Sequence, residues 1–465
     1  MDYSMGFQNF IEGTWAQATG SDVFKKYSPF TGELLGEVKQ SSLLDLVKAI
    51  QSAKKALTNL EKSTHEERAI ILENFAKALE ENKNEIALQE ATHQGLPQAF
   101  VLKNSVEASI KILQTHAKQL RTQSANAEHW HRPVGVVGII SSWTLSLKLI
   151  VERWAPAFAA GNTVIIQAAN HSPITATIIG HLAMNLQLPA GLINILHGGD
   201  DITLALAGHP GVRAITAVTT QKKIEAIAVA AIKEQKKLQL TGETKNAGLL
   251  IGDAITPEQV EEILASFLIG QGQLPWNISR LFVTESKQEQ VIPVIKSYFE
   301  KLKPLNSPQE NSPWTPMITS EAAEKIAGIV QTAKSEEGKI FCGGSKADHK
   351  GNFFQPTVII DLPNCSVLQQ DDVHGPMLIV TTVKYQHEMV KWANTSYLAH
   401  SAVIFGPAEK IPKLAEKLDA QHVFANSWLD ENTPTILGQK NSFFGNPDTA
   451  WDGSFYSDVK KLTGL

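Results

Sequence analysis

Two short stretches of this chain set polar, reactive side chains close together. Asp371-Asp372-Val373-His374-Gly375 places two carboxylates beside an imidazole, a grouping that can hold and move a proton; a solvated loop explains it at least as well. His197-Gly198-Gly199-Asp200-Asp201 carries two glycines that would let the backbone approach a phosphate, although a turn is the simpler reading. The fourteen histidines invite a metal reading, but no HExxH and no paired His/Cys spacing occurs. His129-Trp130-His131 reads as strand or loop, and Cys342 in "IFCGGSK" as a buried structural thiol. Neither GxGxxG nor a GxxxxGKS/T phosphate loop is present. Residues 268–283, "LIGQGQLPWNISRLFV", run from an apolar helix into a strand, a turn where α/β enzymes often place a nucleophile. Leu274, Pro275, Trp276, Asn277 and Ile278 offer neither thiol nor hydroxyl there.

The elements that must position these groups alternate between strand and helix. A chain of 465 residues exceeds one hydrophobic core, so two or three sub-domains are expected. Short strands open the chain, and helical periodicity follows over residues 43–60 and 66–89. From His131 onward short apolar strands alternate with helices: "VGVVGII", a helix through "LKLIVERWAPAFAAG", a strand at 163–167, and a helix with Ser172 as N-cap and Pro173 first. That rhythm predicts a parallel doubly wound sheet. A second α/β unit starts at "AGLLIGD", with helices over 257–269 and 288–302, a strand over 280–283 and a proline-rich loop at 303–316. The boundary at 241–246 is where a ligand cleft is expected, at the carboxyl ends of the strands.

Bulk properties exclude several function classes. A net charge of -5 gives no electrostatic case for nucleic acid. No apolar run approaches the ~20 residues of a membrane span, and the N-terminal residues show no signal-peptide pattern. Two cysteines, Cys342 and Cys365, cannot build a disulfide framework, which suits a reducing, cytoplasmic setting.

A run of blocks then resembles one family. "RPVGVVGIISSW", "WAPAFAAGNTVIIQAANHSP", "LPAGLINILHGGDD", "GHPGVRAIT", "LQLTGETKNAGLLIGDA", "IGQGQLPWNISRLFV", "IFCGGSKADHKGNFFQPTVI" and "DDVHGPMLIV" are similar, in order and spacing, to the NAD(P)-dependent aldehyde dehydrogenases. "FIEGTW", "SPFTGELLGEV" and the terminal "YSDVKKL" extend the resemblance from about residue 10 to the C-terminus. It implies a Rossmann-type nucleotide-binding α/β domain (1–114 and 135–246), a catalytic-type α/β domain (247–440) and a small β oligomerisation arm (115–134 and 441–465).

The family chemistry, carried over residue by residue, meets changed positions. The nucleophilic cysteine matches Pro275, which has no nucleophilic side chain. The general-base glutamate matches Gln239, an amide. The oxyanion-holding asparagine matches Thr144, a shorter donor after Trp143. The adenosine-ribose lysine and glutamate match Gln167 and Asn170, and the two glycines of the pyrophosphate turn match Thr219 and Ile224, with Lys222 and Lys223 nearby. The nicotinamide-ribose glutamate matches Asp372, and His374 stands where an aromatic residue is usual. Ser279 and Cys365 are weak candidates for rescue.

Loss of a nucleophile alone can cost on the order of 10⁶ in turnover. The resemblance therefore implies a catalytically silent, structural or regulatory subunit, with no cofactor and no metal expected. Its expected partners are copies of itself or an active aldehyde dehydrogenase, joined through the arm. The changed positions resemble the cysteine-free type of the sixteenth aldehyde dehydrogenase family. The alternative is a divergent NAD(P)-dependent oxidoreductase acting on an aldehyde, and a third possibility keeps the cleft for a metabolite, with Pro275 and Trp276 making it apolar.

Overall fold

Continuous apolar runs become buried parallel strands, and two sheets built from them organise the chain. A computed structural model describes residues 6–122, 129–253, 255–430, 432–446 and 454–461. The first sheet has eight strands in the spatial order Thr14–Ala16, Asn9–Ile11, Ile193–His197, Thr163–Ala168, Val136–Ile140, Ala214–Val218, Lys237–Thr241 and Phe443–Gly445. The strands from Ile193–His197 to Lys237–Thr241 are mutually parallel. Four of them are buried along their whole length, as strands covered by helices on both faces must be. The order reverses between Val136–Ile140 and Ala214–Val218, and this is where a doubly wound sheet opens a crevice.

The second sheet has seven strands, Lys339–Cys342, Thr357–Ile360, Met377–Val383, Ile278–Thr284, Asn246–Leu250, Ser401–Phe405 and His422–Ala425. Its pairs are parallel except the antiparallel edge pair Lys339–Cys342 with Thr357–Ile360. Residues 242–245 cross from the last parallel strand of the first sheet to a central strand of the second. The expected α/β class and doubly wound sheet are both found, with helix Leu43–Leu60 at the expected place.

Two local expectations need correcting. The helix expected over 66–89 is two, His65–Glu81 and Lys83–Gln94, broken at Asn82 (φ -115°, ψ 11°). Asn82 Nδ2 donates to the Ala78 carbonyl at 2.8 Å, a local bond that competes with helix continuation. Apolar residues lie under both helices, so periodicity alone runs through the break. Ser172 is the N-cap by position, but its hydroxyl caps nothing; it lies 3.1 Å from Thr175 Oγ1 and accepts from Gln94 Nε2 at 3.2 Å.

Residues 115–122 complete helix Ala108–Thr122. Beyond it, His129–Pro133 pairs antiparallel with Ser457–Lys461 in a two-stranded ribbon, and Phe443–Gly445 adds an edge strand to the first sheet. Residues 123–128 and 447–453 of the expected arm lie outside the described residues. Among the described residues no helix is long and apolar enough to cross a membrane.

The turn in "IGQGQLP" demands glycine. Gly272 has φ +67°, and a Cβ there would stand 2.2 Å from the Gly375 carbonyl oxygen. The loops of residues 270–277 and 371–376 thus touch backbone to backbone. Gly272→Ala is expected to lower stability by roughly 1–3 kcal/mol through the left-handed conformation, plus the cost of parting the loops. A urea midpoint equal to that of the unsubstituted chain would contradict this contact.

Candidate active site

The parallel strands of the first sheet all deliver their carboxyl ends to one cavity of about 1040 Å³. Its wall takes Ser141, Ser142, Trp143 and Thr144 after Val136–Ile140, Gln167 to His171 around the end of Thr163–Ala168, and Gly198 to Asp200 after Ile193–His197. Thr219 and Thr220 follow Ala214–Val218, and Gly242 and Thr244 follow Lys237–Thr241. The second half contributes Gln273, Leu274 and Pro275, part of helix Ser320–Ser335, and Asp372 to His374. The cleft at the 241–246 boundary is therefore present.

Thr144 is fixed by a buried polar network. The start of helix Ser146–Ala159 lies inside the protein, and Leu145 before it has φ +40°. Its orphan N–H groups are met from neighbouring helices: Leu145 N donates to Gln94 Oε1 and Leu147 N to Glu90 Oε1, both at 2.9 Å. Glu90 also accepts from Ser105 and Thr175, each at 2.6 Å, while its burial pushes the carboxyl pKa up. Thr144 Oγ1 then lies 3.1 Å from Ser142 Oγ, so two hydroxyls share this wall of the cleft.

Pro275 is on the opposite wall, held by its neighbours rather than by its own ring. Asn277 Oδ1 accepts from Leu274 N at 2.7 Å and its Nδ2 donates to the Ser266 and Ile269 carbonyls. Asn246 Nδ2 donates to the Pro275 carbonyl at 2.8 Å. Trp276 does not make the cleft apolar, because it faces away. Its ring lies 5.0 Å under Lys148 Nζ and packs edge-on to His400, and its carbonyl accepts from Trp428 Nε1. Trp276 is a packing residue.

The other expected positions divide. Gln239 is buried within Lys237–Thr241, accepts from Thr216 Oγ1 at 3.3 Å and is not part of the cleft wall. Ile224 packs in the core beneath the first sheet. Gln167, Asn170, Thr219, Asp372 and His374 do line the cleft. Gln167 is spent internally, donating to the Gly198 and Gly199 carbonyls and accepting from Thr203. Lys223 is neutralised by Asp200 at 2.6 Å. Asn170 lines the cleft, and its Oδ1 is buried with no hydrogen-bond partner. Cys342 is free and its thiol is pushed up to about 11 by burial; Cys365 is free and exposed, and neither lines the cleft. Among the described residues no cluster of three or more His, Cys, Asp or Glu could hold a metal ion.

The loop at 371–376 is more than solvated surface. Asp372 Oδ2 accepts from Thr244 N at 3.0 Å and Oδ1 from His374 N at 3.1 Å, tying the crossing between sheets to the cleft. His374, at φ +47°, sets its imidazole between two carboxylates, 3.5 Å from Asp372 and 3.6 Å from Glu243. Asp372 chiefly, with Glu243 adding, pushes the His374 pKa up to about 9 against burial and Lys245. Lys245 sits behind them, buried, its Nζ without a hydrogen-bond partner and its pKa pushed down to about 7 by desolvation. Glu243 and Lys245 escaped the sequence reading.

Comparison with known proteins supplies independent findings. The model of the aldehyde dehydrogenase family matches residues 15–462. The chain is 27% identical over 480 residues to the 2-aminomuconic semialdehyde dehydrogenase of Homo sapiens, covering 98% of this chain and 97% of that protein. It is 26% identical over 480 residues to the 2-hydroxymuconic semialdehyde dehydrogenase of a Pseudomonas species (strain CF600), covering 98% of both. The fold superposes with a TM-score of 0.92 on the NAD+ complex of a Bacillus cereus aldehyde dehydrogenase at 23% identity, covering 98% and 96% of the two chains. A Mycobacterium tuberculosis aldehyde dehydrogenase complexed with NAD+ gives 0.91 at 22% identity, covering 98% and 97%.

Two expectations are overturned by these findings. The silent structural or regulatory subunit gives way, because the full-length relatives are named as dehydrogenases. The physical reason lies in the cavity, which the changed residues reline without filling. The expectation of no cofactor falls with it, since solved structures of this fold carry NAD+.

The His374 cluster makes a pH prediction. A pKa raised from 6.5 on folding contributes stability that is complete below pH 6.5 and lost as pH rises through about 9. The side chain is 46% exposed, so solvent screening makes the amplitude smaller than the shift alone implies. Unfolding free energy should fall across that window in the unsubstituted chain and fall less in His374→Gln. An imidazole midpoint near 6.5 by NMR would remove the cluster from the account.

Proposed function

Since this chain belongs to the aldehyde dehydrogenase family, we propose that it is a divergent NAD(P)-dependent oxidoreductase acting on an aldehyde, without a thiol intermediate. The observation that carries this is the open cavity at the strand ends, lined by hydroxyls on one side and a cationic imidazole on the other. The residues present fit a dinucleotide. Asn170 Oδ1 is an unpaired buried acceptor, and Thr220 heads helix Gln221–Ile232 without a side-chain cap bond; Glu243 Oε1 accepts from Gln221 N at 3.4 Å, which leaves the next first-turn N–H groups for a phosphate. Gln167 and Lys223 contribute little, being already engaged.

When bound, the nicotinamide supplies the acceptor for the hydride leaving the aldehyde carbon. With Pro275 in the wall, the substrate form able to release hydride is the hydrate, RCH(OH)₂. It becomes the carboxylic acid by losing one hydride from carbon and one proton from oxygen, the proton passing to solvent water in the open cleft. Ser142 and Thr144 hold the hydrate by hydrogen bonds, and the His374 cation stabilises the oxygen that has given up its proton. Asp372 keeps that cation in place and anchors Thr244, so both halves of the cleft stay in register.

Calorimetry with NAD and NADP, followed by turnover of short aldehydes, tests this reading. Submillimolar binding of one dinucleotide is expected, and no binding at millimolar concentration would end it. Thr144→Val should lower kcat/KM at least about tenfold while leaving cofactor affinity unchanged.

The ribbon of His129–Pro133 and Ser457–Lys461 supports a homo-oligomer, and the two free cysteines suit a reducing, cytoplasmic setting. Among the described residues the ribbon is two-stranded with an open edge on each strand, and Val459 is 55% exposed. Native mass spectrometry should show dimers or larger assemblies; a monomer at micromolar concentration would contradict this.

A further inference from the structure

A buried lysine opens on the cleft with no partner. Strand Val23–Tyr27 alternates, with Val23, Lys25 and Tyr27 exposed and Phe24 and Lys26 turned inward. Lys26 is 2% exposed, yet it lines the cavity. Among the described residues no carboxylate pairs with it. The other cleft lysines are exposed, with Lys25 beside Glu37 and Lys223 paired with Asp200. The groups coupled to Lys26 electrostatically are His93 and His171, both kept neutral by burial. His171 also lines the cavity. Lys245 is also a buried amine without a hydrogen-bond partner, but it does not line the cleft.

From this placement we propose that Lys26 Nζ captures aldehydes in the cleft as a reversible imine, a covalent site distinct from the Pro275 turn. The proposal takes from the functional reading only that the ligand is an aldehyde, and it needs no cofactor. The amine lone pair forms a C–N bond to the carbonyl carbon while the C=O π pair moves to oxygen and takes a proton. The carbinolamine then loses that oxygen as water, with one proton from nitrogen, leaving C=N. No oxidant or reductant is consumed, and hydrolysis returns the aldehyde. Burial favours the neutral, nucleophilic amine, with the pKa pushed down to about 7. An ordinary lysine near 10.4 is almost wholly protonated at neutral pH.

The test is trapping with cyanoborohydride. The full-length chain is incubated at pH 7 with butanal and the reductant, with no nicotinamide cofactor, then mapped by peptide mass spectrometry. Lys26 is expected to carry the butyl group at least about tenfold more than Lys25 or Lys325, with labelling rising through about pH 7. Lys26→Arg should lose that adduct and leave the exposed lysines labelled as before. Lys26→Met removes an unpaired buried amine, so it should fold at least as stably and also lose the adduct. Lys26 labelling no greater than that of Lys25 would overturn the proposal and leave a structural amine against His93 and His171. Turnover with cofactor is measured in parallel. Turnover without the Lys26 adduct defeats imine capture alone, and the adduct without turnover or cofactor binding defeats the redox reading alone.

Discussion

The crossing between the two sheets at residues 242–245 is the constraint from which the site follows. It must leave one parallel sheet, pass through the interior and enter the centre of another without stranding its backbone. Asp372 meets part of that need by accepting from Thr244 N, and Arg280 donates to the Lys245 carbonyl at 2.8 Å. The same Asp372 holds His374, and the loop that carries both rests on Gly272. One carboxylate thus links the domain junction to the cation in the cleft. Cleft geometry and junction stability are therefore coupled: a change that frees Thr244 N also loosens the imidazole.

Charge in the interior is handled in two ways. Near the cleft, Lys245 Nζ is buried without a hydrogen-bond partner and Arg280 is held by backbone carbonyls alone, and desolvation pushes them down to about 7 and about 9. Farther back, Lys148, Glu152 and Arg153 form a buried group in helix Ser146–Ala159, with Lys148 and Glu152 2.7 Å apart. That pair supports Trp276 and so braces the Pro275 turn from behind. Buried ion pairs contribute little net stability, but removing one partner leaves a costly charge. Such groups fix a loop in one place better than they hold a fold together.

Much of this was legible in the residues. Fully apolar strands such as Val136–Ile140 announced a sheet covered on both faces, and the block order announced the family. The family resemblance marked Pro275 as a cleft position, and it lies in the cleft wall. What the sequence hid depends on tertiary contacts. Gln239 looked like a site residue by alignment of motifs, yet it hydrogen-bonds sideways to Thr216 inside the sheet. Trp276 adjoins Pro275 in sequence but turns away onto Lys148. Lys26 carries no motif in the sequence, and only the alternation of its strand puts it inside. The inference of silence failed for a related reason: replaced residues reveal lost groups, but not whether the cavity they surrounded remains.

The claim at the centre is that this cleft takes hydride from an aldehyde with no thiol to hold the substrate. Incubation with an aldehyde deuterated at its carbonyl carbon and with oxidised NAD or NADP tests it directly. Mass spectrometry of the recovered nicotinamide should show deuterium transferred from the aldehyde carbon, in excess over the protein present. Unlabelled cofactor after prolonged incubation, across a range of aldehydes and with both dinucleotides, would contradict the account.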